Sequence, residues 1–260
     1  MVRRPNRRDK RDKPARSEEL EYLRGQSDQL LMPKQRRAHL LRFILTGLVV
    51  TGLSAGLRAD DLEPVRKWIK QQAGMKTAIV EFAQERRLRT LKEPIVKEGT
   101  FWYQAPSSFR WQVGSPPQIV AVQKGKGDLF VVDEEKKTID QYPYEIVLEK
   151  GNSNGLSFLE AGFPRDLAEF QKNFKIRSVK ELEDFTEVQT TLTDRRASLG
   201  CRKVVFFLDA KTSELRHVHL YFRDGSTVTN RFKSMKVNPS IPAKTFMVGT
   251  DGYKVELKRG

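Results

Sequence analysis

Several absences limit the classes of function open to this 260-residue chain. It contains one cysteine, Cys201, which excludes a disulfide framework and any zinc or iron–sulfur site built from several thiolates. Of its three histidines, His39 lies in the N-terminal segment, and only His217 and His219 fall in the region expected to fold. These two share one face of a predicted strand without an evident third ligand, so we interpret them as surface residues and predict no metal site.

Two recognisable catalytic motifs are also missing. The sequence has no H-E-x-x-H and no phosphate-binding loop, since Gly125 and Gly127 lie in a turn that no helix follows. Carboxylates such as those of Asp133-Glu134-Glu135 stand among lysines, as in charged hairpin tips. The sequence therefore predicts neither enzymatic activity nor a cofactor, and a lipid-modifying enzyme is the least favoured alternative.

No apolar run is long enough for a typical membrane span. The uncharged stretch Phe43–Leu57 has 15 residues, whereas a span needs about 20. Arg36, Arg37 and Arg42 precede it and Ala59 follows it, which is typical of a Sec-type signal peptide cleaved near Ala59. We therefore divide the chain into a disordered basic extension (1–31, untranslated if Met32 is the start), a signal peptide (32–59) and one β domain (60–260). An uncleaved single-pass anchor is the alternative.

The positive charge is concentrated in the same N-terminal part. The formal charge is +15, and the first 59 residues hold 14 of the 48 basic residues but only 6 of the 33 acidic ones. In the remaining chain basic and acidic residues are interleaved, as in Glu85-Arg86-Arg87. This pattern disfavours nucleic acid as a partner, because a protein that binds polyanions needs a continuous basic surface. An exported polyanion-binding module remains an alternative.

After residue 60 the sequence predicts one antiparallel sheet with a few helices. Leu62, Val65, Trp68 and Ile69 form one stripe of a helix over Asp61–Gln72, with Asp60 or Asp61 as its N-cap. Strand-like segments separated by turn signals follow, at a spacing too short for parallel crossovers. They are Thr77–Arg87, Gly99–Gln104, Ser108–Val113, Gln118–Gln123, Asp128–Val132, Thr138–Tyr142, Phe174–Val179, Phe185–Thr193, Cys201–Leu208, Glu214–Phe222, Ser226–Val237 and Thr245–Val248.

These segments predict about 10–12 strands in a strongly curved sheet or unclosed barrel. Two short helices are expected within Asn152–Phe174, where Gly155, Gly162 and Pro164 interrupt an apolar sequence. A sheet of this size can leave an interior cavity for a small apolar ligand.

Aromatic residues supply the candidate lining of such a cavity. Strand alternation places Phe101 with Tyr103 on one face, and Phe109 with Trp111, whereas Trp102 and Arg110 point the other way. Ordinary core packing is the alternative reading for most of these side chains.

The stretch Phe82–Tyr142 resembles a known family. It contains, in this order, a G-x-F-W-Y sequence at Gly99–Tyr103, a proline at Pro106 and an F-R-W sequence at Phe109–Trp111. This order is similar to that of LolA, the periplasmic carrier of outer-membrane lipoproteins. The resemblance implies an unclosed β-barrel with short helices as a lid over a hydrophobic cavity. The cavity would shield the acyl chains of lipoproteins while they cross the periplasm from the inner to the outer membrane.

The resemblance also implies partners and site residues. The partners are acylated lipoproteins, an inner-membrane ABC transporter as donor, and an outer-membrane receptor or the membrane itself as acceptor; the carrier is expected to be a monomer. We assign the cavity and its lid to Trp68, Phe82, Phe101, Tyr103, Phe109, Trp111, Phe130, Phe158 and Leu159, and the rim or gate to Ala105, Pro106 and Arg110. Ala105 departs from the family, which commonly has arginine before this proline. A lipoprotein-binding sensor or regulator of related fold is the main alternative function.

Overall fold

A computed structural model describes residues 60–149, 164, 166–195 and 197–258. In these residues the strands are β1 (Thr77–Arg87), β2 (Ile95–Gln104), β3 (Ser108–Val113), β4 (Ile119–Gln123), β5 (Leu129–Asp133), β6 (Thr138–Tyr142), β7 (Phe174–Glu181), β8 (Phe185–Leu192), β9 (Cys201–Asp209), β10 (Leu215–Phe222), β11 (Thr227–Val237) and β12 (Lys254–Leu257). The α-helices are α1 (Glu63–Gln72), α2 (Tyr144–Glu149), α3 (Leu167–Asn173) and α4 (Ala197–Gly200), and 3-10 turns occupy Asp60–Leu62 and Ala243–Phe246. None of the described helices is both long and apolar enough to cross a membrane.

The strands form one sheet of twelve in the order β12-β6-β5-β4-β3-β2-β1-β11-β10-β9-β8-β7. Two meanders, β1–β6 and β7–β11, are joined where β1 pairs with β11 from Ala78↔Val237 to Arg87↔Thr227. Every pair is antiparallel except β12 with β6. The outermost strands, β12 and β7, are not neighbours, so the sheet is unclosed. The predicted curved, unclosed sheet of 10–12 strands with short helices is confirmed.

Two predictions of local structure were wrong, and two elements were missed. Helix α1 has Leu62 at its N-cap position without a capping side chain, instead of Asp60 or Asp61, because a 3-10 turn takes up the two aspartates. In the segment predicted as a strand at Thr245–Val248, Thr245 and Phe246 belong to a 3-10 turn, and Met247 and Val248 have no regular structure. Strand β12 and helix α2 were missed: β12 is short and polar, and only its parallel pairing with β6 makes it a strand.

Helix α3 lies within the predicted helical interruption Asn152–Phe174, of which residues 152–163 and 165 lie outside the described residues. The predicted basic extension and signal peptide, residues 1–59, also lie outside them.

Buried apolar side chains lie on both faces of the sheet. On the inner face, α1 and α3 pack against β7–β10 through a cluster that includes Trp68, Phe170 and Phe206. A second inner cluster covers β1–β6 and includes Phe101 and Trp111. On the outer face, the chain after β11 folds back over β4–β6, where Phe246 is buried among valines and isoleucine. The candidate functional site lies between the two inner clusters.

Candidate functional site

A cavity of about 340 Å³ lies between helix α1 and the inner face of the sheet. Its volume falls within the range of small-molecule pockets, about 300–1,000 Å³. The lining comes from α1 and the residue after its C-terminal turn, from β1–β3, and from the β9–β10 hairpin, β10 and β11: Trp68, Gln71, Gln72, Met75, Val80, Phe101, Trp111, Glu214, Leu215, Val218, Asn230, Phe232, Met235 and Val237. The lining is mostly apolar, with four polar side chains.

Strand register builds one wall of this cavity. Val80 pairs with Phe101, and Phe101 pairs with Trp111, so three adjacent strands present these side chains in one row. The Phe101 and Trp111 rings are 5.7 Å apart between centroids, and Trp111 stacks on Phe82 at 3.9 Å. The predicted alternation is therefore correct for these strands, and it produces an apolar surface of neighbouring aromatic rings.

Gly99 makes the stacking of Phe82 geometrically possible. The Phe82 ring is fully buried and lies directly over Gly99, where a Cβ atom would come within 2.2 Å of Phe82 Cζ and 2.6 Å of the Gln112 carbonyl oxygen. Contacts under 3.0 Å do not occur for real Cβ atoms. The glycine of the G-x-F-W-Y sequence is thus required by a close approach of a neighbouring side chain.

The opposite wall is helix α1, which several contacts hold on the sheet. Trp68 packs edge-on against Phe170, with centroids 5.6 Å apart, and lies 5.7 Å from Phe206. At the C-terminal end of α1, Gln71 Nε2 donates a hydrogen bond to the Thr212 carbonyl in the β9–β10 turn at 2.7 Å. The helix and this turn therefore form one side of the cavity mouth.

The mouth opens where β10 and β11 separate. The β10–β11 ladder ends at His217↔Arg231, and the rest of β11 runs on beside β1 alone. Met235 and Val237 lie on this extension; they line the cavity and yet are 44% and 53% exposed. The cavity is therefore continuous with a partly exposed apolar rim.

Of the predicted cavity residues, the structure places three at the lining: Trp68, Phe101 and Trp111. Phe82, Tyr103 and Phe109 are buried in the same inner cluster, behind the lining. The predicted lid residues Phe158 and Leu159 lie outside the described residues.

Phe130 was wrongly assigned to the cavity. It packs on the outer face with the C-terminal segment, while its neighbour Leu129 lies on the inner face. The register explains the error, because Leu129 pairs with Gln123 and Gln123 with Phe109, whereas Phe130 pairs with the outward-facing Val122.

Arg110 was wrongly assigned to the rim. Its guanidinium lies on the outer face, 6.0 Å from the Trp102 ring, and donates to Gln112 Oε1 at 3.3 Å. Burial lowers its pKa, and the charge of Glu134 opposes that shift. Ala105 and Pro106 are exposed in the β2–β3 turn, where the Tyr103 hydroxyl donates to the Pro106 carbonyl at 3.5 Å. Their role as a gate stays a prediction.

Sequence reasoning missed the lining residues of β10 and β11, including Phe232, and those of α1 other than Trp68. Val218 alternates with polar neighbours in β10, so its alternation was the available signal. In β11 a bulge between Phe232 and Ser234 interrupts the alternation before Met235.

The remaining candidate groups lie away from the cavity. Cys201 is buried, and desolvation raises the pKa of its thiol to about 12, as expected for an inert thiol. His217 stacks on Phe207 at 4.1 Å and His219 on Tyr221 at 4.3 Å. Burial, with a smaller contribution from the charge of Arg231, lowers the pKa of His217 to about 4. Both histidines therefore pack as aromatic side chains beside outer-face rings.

The fold and the cavity together define an unclosed β-sheet protein with an internal, largely apolar pocket. Residues 73–248 match the family model of the outer membrane lipoprotein carrier protein LolA. Because the match spans more than half of the chain, the chain belongs to this family, which confirms the resemblance seen in the sequence.

Individual proteins are also similar to this chain. The chain is 26% identical over 212 residues to an outer-membrane lipoprotein carrier protein of Dechloromonas aromatica, covering 81% of this chain and 93% of that protein. Among solved structures, it is similar to a LolA superfamily protein from Nitrosomonas europaea, with 12% identity, a TM-score of 0.40 and coverage of 73% and 96% of the two chains. It is also similar to the lipoprotein LppX of Mycobacterium tuberculosis, with 10% identity, a TM-score of 0.39 and coverage of 70% and 97%.

Proposed function

We propose that this protein is a periplasmic carrier that binds the acyl chains of lipoproteins in the cavity and moves them from the inner to the outer membrane. The observation that carries the proposal is the apolar cavity under α1 in a member of the lipoprotein carrier family. Trp68, Phe101 and Trp111 are the side chains proposed to contact the chains.

The chemistry of the cargo explains the need for such a cavity. Each methylene group costs about 0.8 kcal/mol to expose to water, so an acylated protein cannot leave a membrane without an apolar enclosure. Carrying requires no bond to be made or broken, and we propose a binding function without catalysis.

The size of the cavity has a consequence for loading. At about 340 Å³, the cavity lies at the lower end of the range of small-molecule pockets, about 300–1,000 Å³. A cargo with three acyl chains is larger than such a ligand, so we propose that the walls move apart on loading. Helix α1 is held to the sheet by side-chain contacts rather than by a strand ladder, which makes it the part proposed to move.

The proposed route has a donor and an acceptor. We propose that an inner-membrane ABC transporter loads the cavity and that an outer-membrane receptor, or the membrane itself, receives the cargo. The predicted signal peptide in residues 32–59 supports delivery of the domain to the periplasm.

The three tryptophans allow a direct test. Trp68 and Trp111 line the cavity, whereas Trp102 lies on the outer face. We would prepare residues 60–260 with a single tryptophan, either Trp111 or Trp102, replacing the others by phenylalanine. Each variant would be titrated with a triacylated cysteine whose chains carry bromine, which quenches indole emission on contact.

The expected result is strong quenching in the variant that retains Trp111 and little change in the variant that retains Trp102. Unfolding curves of both variants provide the control for folding. Equal quenching of the two, or binding without quenching of Trp111, would show that the chains lie elsewhere and would contradict the proposal.

A further inference from the structure

The last part of β11 has a backbone edge that no strand of the described residues occupies. β10 pairs with β11 only from Thr227 to Arg231, whereas β1 pairs with β11 as far as Val237. β10 itself begins only at Leu215, and Arg216, whose guanidinium binds Asp209 Oδ2 at 3.0 Å, makes a bulge in its pairing with β9. An edge of this kind is a template for an additional strand.

The register shows which backbone groups point to the open side. The Asn238 N–H donates to the Thr77 carbonyl at 2.8 Å, so this pair is hydrogen-bonded. Because hydrogen-bonded and non-hydrogen-bonded pairs alternate along an antiparallel ladder, Lys236 bonds to β1. The N–H and C=O groups of Met235 and Val237 therefore point away from β1, toward the side that β10 does not reach.

This edge is held in an extended conformation before any partner arrives. The Asn238 side chain accepts hydrogen bonds from the backbone N–H groups of Lys76, at 2.7 Å, and Thr77, at 3.3 Å. The Thr77 hydroxyl donates to the Pro239 carbonyl at 2.6 Å. Together with the β1 ladder, these bonds fix the end of β11, so a strand added there would not have to order it.

The open edge and the cavity form one continuous surface. The side chains of Met235 and Val237 line the cavity, and the outward backbone groups belong to the same two residues. In an acylated lipoprotein the acyl chains and the start of the polypeptide are attached to one residue. A cargo whose chains occupy the cavity would therefore begin its polypeptide beside this edge.

We propose that the polypeptide immediately after the acylated residue of the cargo adds as a strand to the open edge of β11 at Met235–Val237. This inference rests on the proposed function and adds a second recognition element to it. Strand addition uses main-chain hydrogen bonds and so accepts many peptide sequences. It lets one carrier hold cargoes that share only their acylated residue, and it distinguishes a lipoprotein from a free lipid.

The test compares three synthetic ligands on the intact domain, residues 60–260. The first is triacylated cysteine followed by a short peptide of serine and alanine. The second has the same sequence with alternate backbone nitrogens methylated, in both possible phases, which removes donors without changing the acyl chains. The third is triacylated cysteine amide without a peptide. Affinity is measured by displacement of a fluorescent fatty acid, and amide hydrogen exchange is followed by NMR.

We expect the first ligand to bind about tenfold more tightly than the third ligand, and about tenfold more tightly than at least one of the two methylated peptides. A few net main-chain hydrogen bonds account for a difference of this size. The amides of Met235 and Val237 should exchange more slowly with the first ligand, and should be unchanged with the third ligand and with the methylated phase that binds weakly. The amide of Lys236, which bonds to β1, is the internal control and should be slow in every state.

Each other outcome is decisive. Equal affinity for all ligands with unchanged exchange at Met235 and Val237 would overturn the strand addition and leave the acyl-binding function standing. Failure of all three ligands to bind would overturn the proposed function and this inference with it. Slow exchange at both amides in a concentration-dependent dimer without ligand would assign the edge to a second copy of the chain, and would also overturn the inference.

Discussion

Replacing Gly99 by alanine should destabilise the domain by forcing the Phe82 ring away from the cavity wall. The new Cβ would lie 2.2 Å from Phe82 Cζ, 2.7 Å from Phe82 Cε1 and 2.6 Å from the Gln112 carbonyl oxygen. The carbonyl belongs to the β2–β3 ladder and cannot retreat without breaking it. The fully buried ring, stacked on Trp111, has no free space of its own.

Overpacking of this kind costs about 1–3 kcal/mol, and two simultaneous clashes place Gly99→Ala toward the upper end. For a domain of this size the midpoint of thermal unfolding should fall by about 4–10 °C. Urea unfolding followed by circular dichroism gives the free energy directly. The matched control is Gly74→Ala, because a Cβ at Gly74 has no atom within 4 Å and should leave stability unchanged.

A double-mutant cycle separates the two clashes. In a Phe82→Leu background the ring clash disappears while the carbonyl clash remains, so the cost of Gly99→Ala should fall by about 1 kcal/mol. An unaltered cost in that background would refute the reasoning about Phe82. A Gly99→Ala protein as stable as the parent would refute the close approach itself.

Two further predictions concern groups remote from the cavity. The Cys201 thiol, whose pKa burial raises to about 12, should resist Ellman's reagent at pH 8 in the folded protein and react fully in urea; rapid reaction of the native protein would contradict the burial. The pKa of His217, ordinarily 6.5, is lowered to about 4 in the folded state, mainly by burial, so the unfolded chain binds more protons between these values. Stability should therefore fall as pH decreases from about 6.5 to about 4, and His217→Gln should flatten this dependence in urea titrations; an unchanged slope would contradict the shift.

The sequence predicted the inner surface of the sheet best where polar and apolar residues alternate clearly. Phe101 and Tyr103, and Phe109 and Trp111, face inward as expected, with Trp102 and Arg110 on the outer face. The bounds of β1, β3 and β6 also agree with the predicted segments. In these strands one face packs against the inner core, so the alternation of apolar and polar residues indicates which side chains face inward.

Prediction failed where both faces of a strand are covered. Residues Leu129–Val132 are all apolar, because the inner core covers one side of β5 and the C-terminal segment covers the other. Alternation then does not indicate which side chains face inward, and Phe130 was placed on the wrong face. Arg110 was assigned to the gate because of the family resemblance. The alternation of β3 had placed its side chain on the outer face, and that prediction was correct.

By itself, then, the sequence determined the class of fold, the family, and which side chains of β2 and β3 face inward, because these depend on local periodicity and short motifs. Only the tertiary structure decided that β1 lies beside β11, that α1 covers the inner face, and that β10 separates from β11 to open a mouth at Met235 and Val237. These features depend on contacts between residues about 150 positions apart, as in Ala78↔Val237. No local pattern encodes them, because register between distant strands is set by packing of the whole sheet.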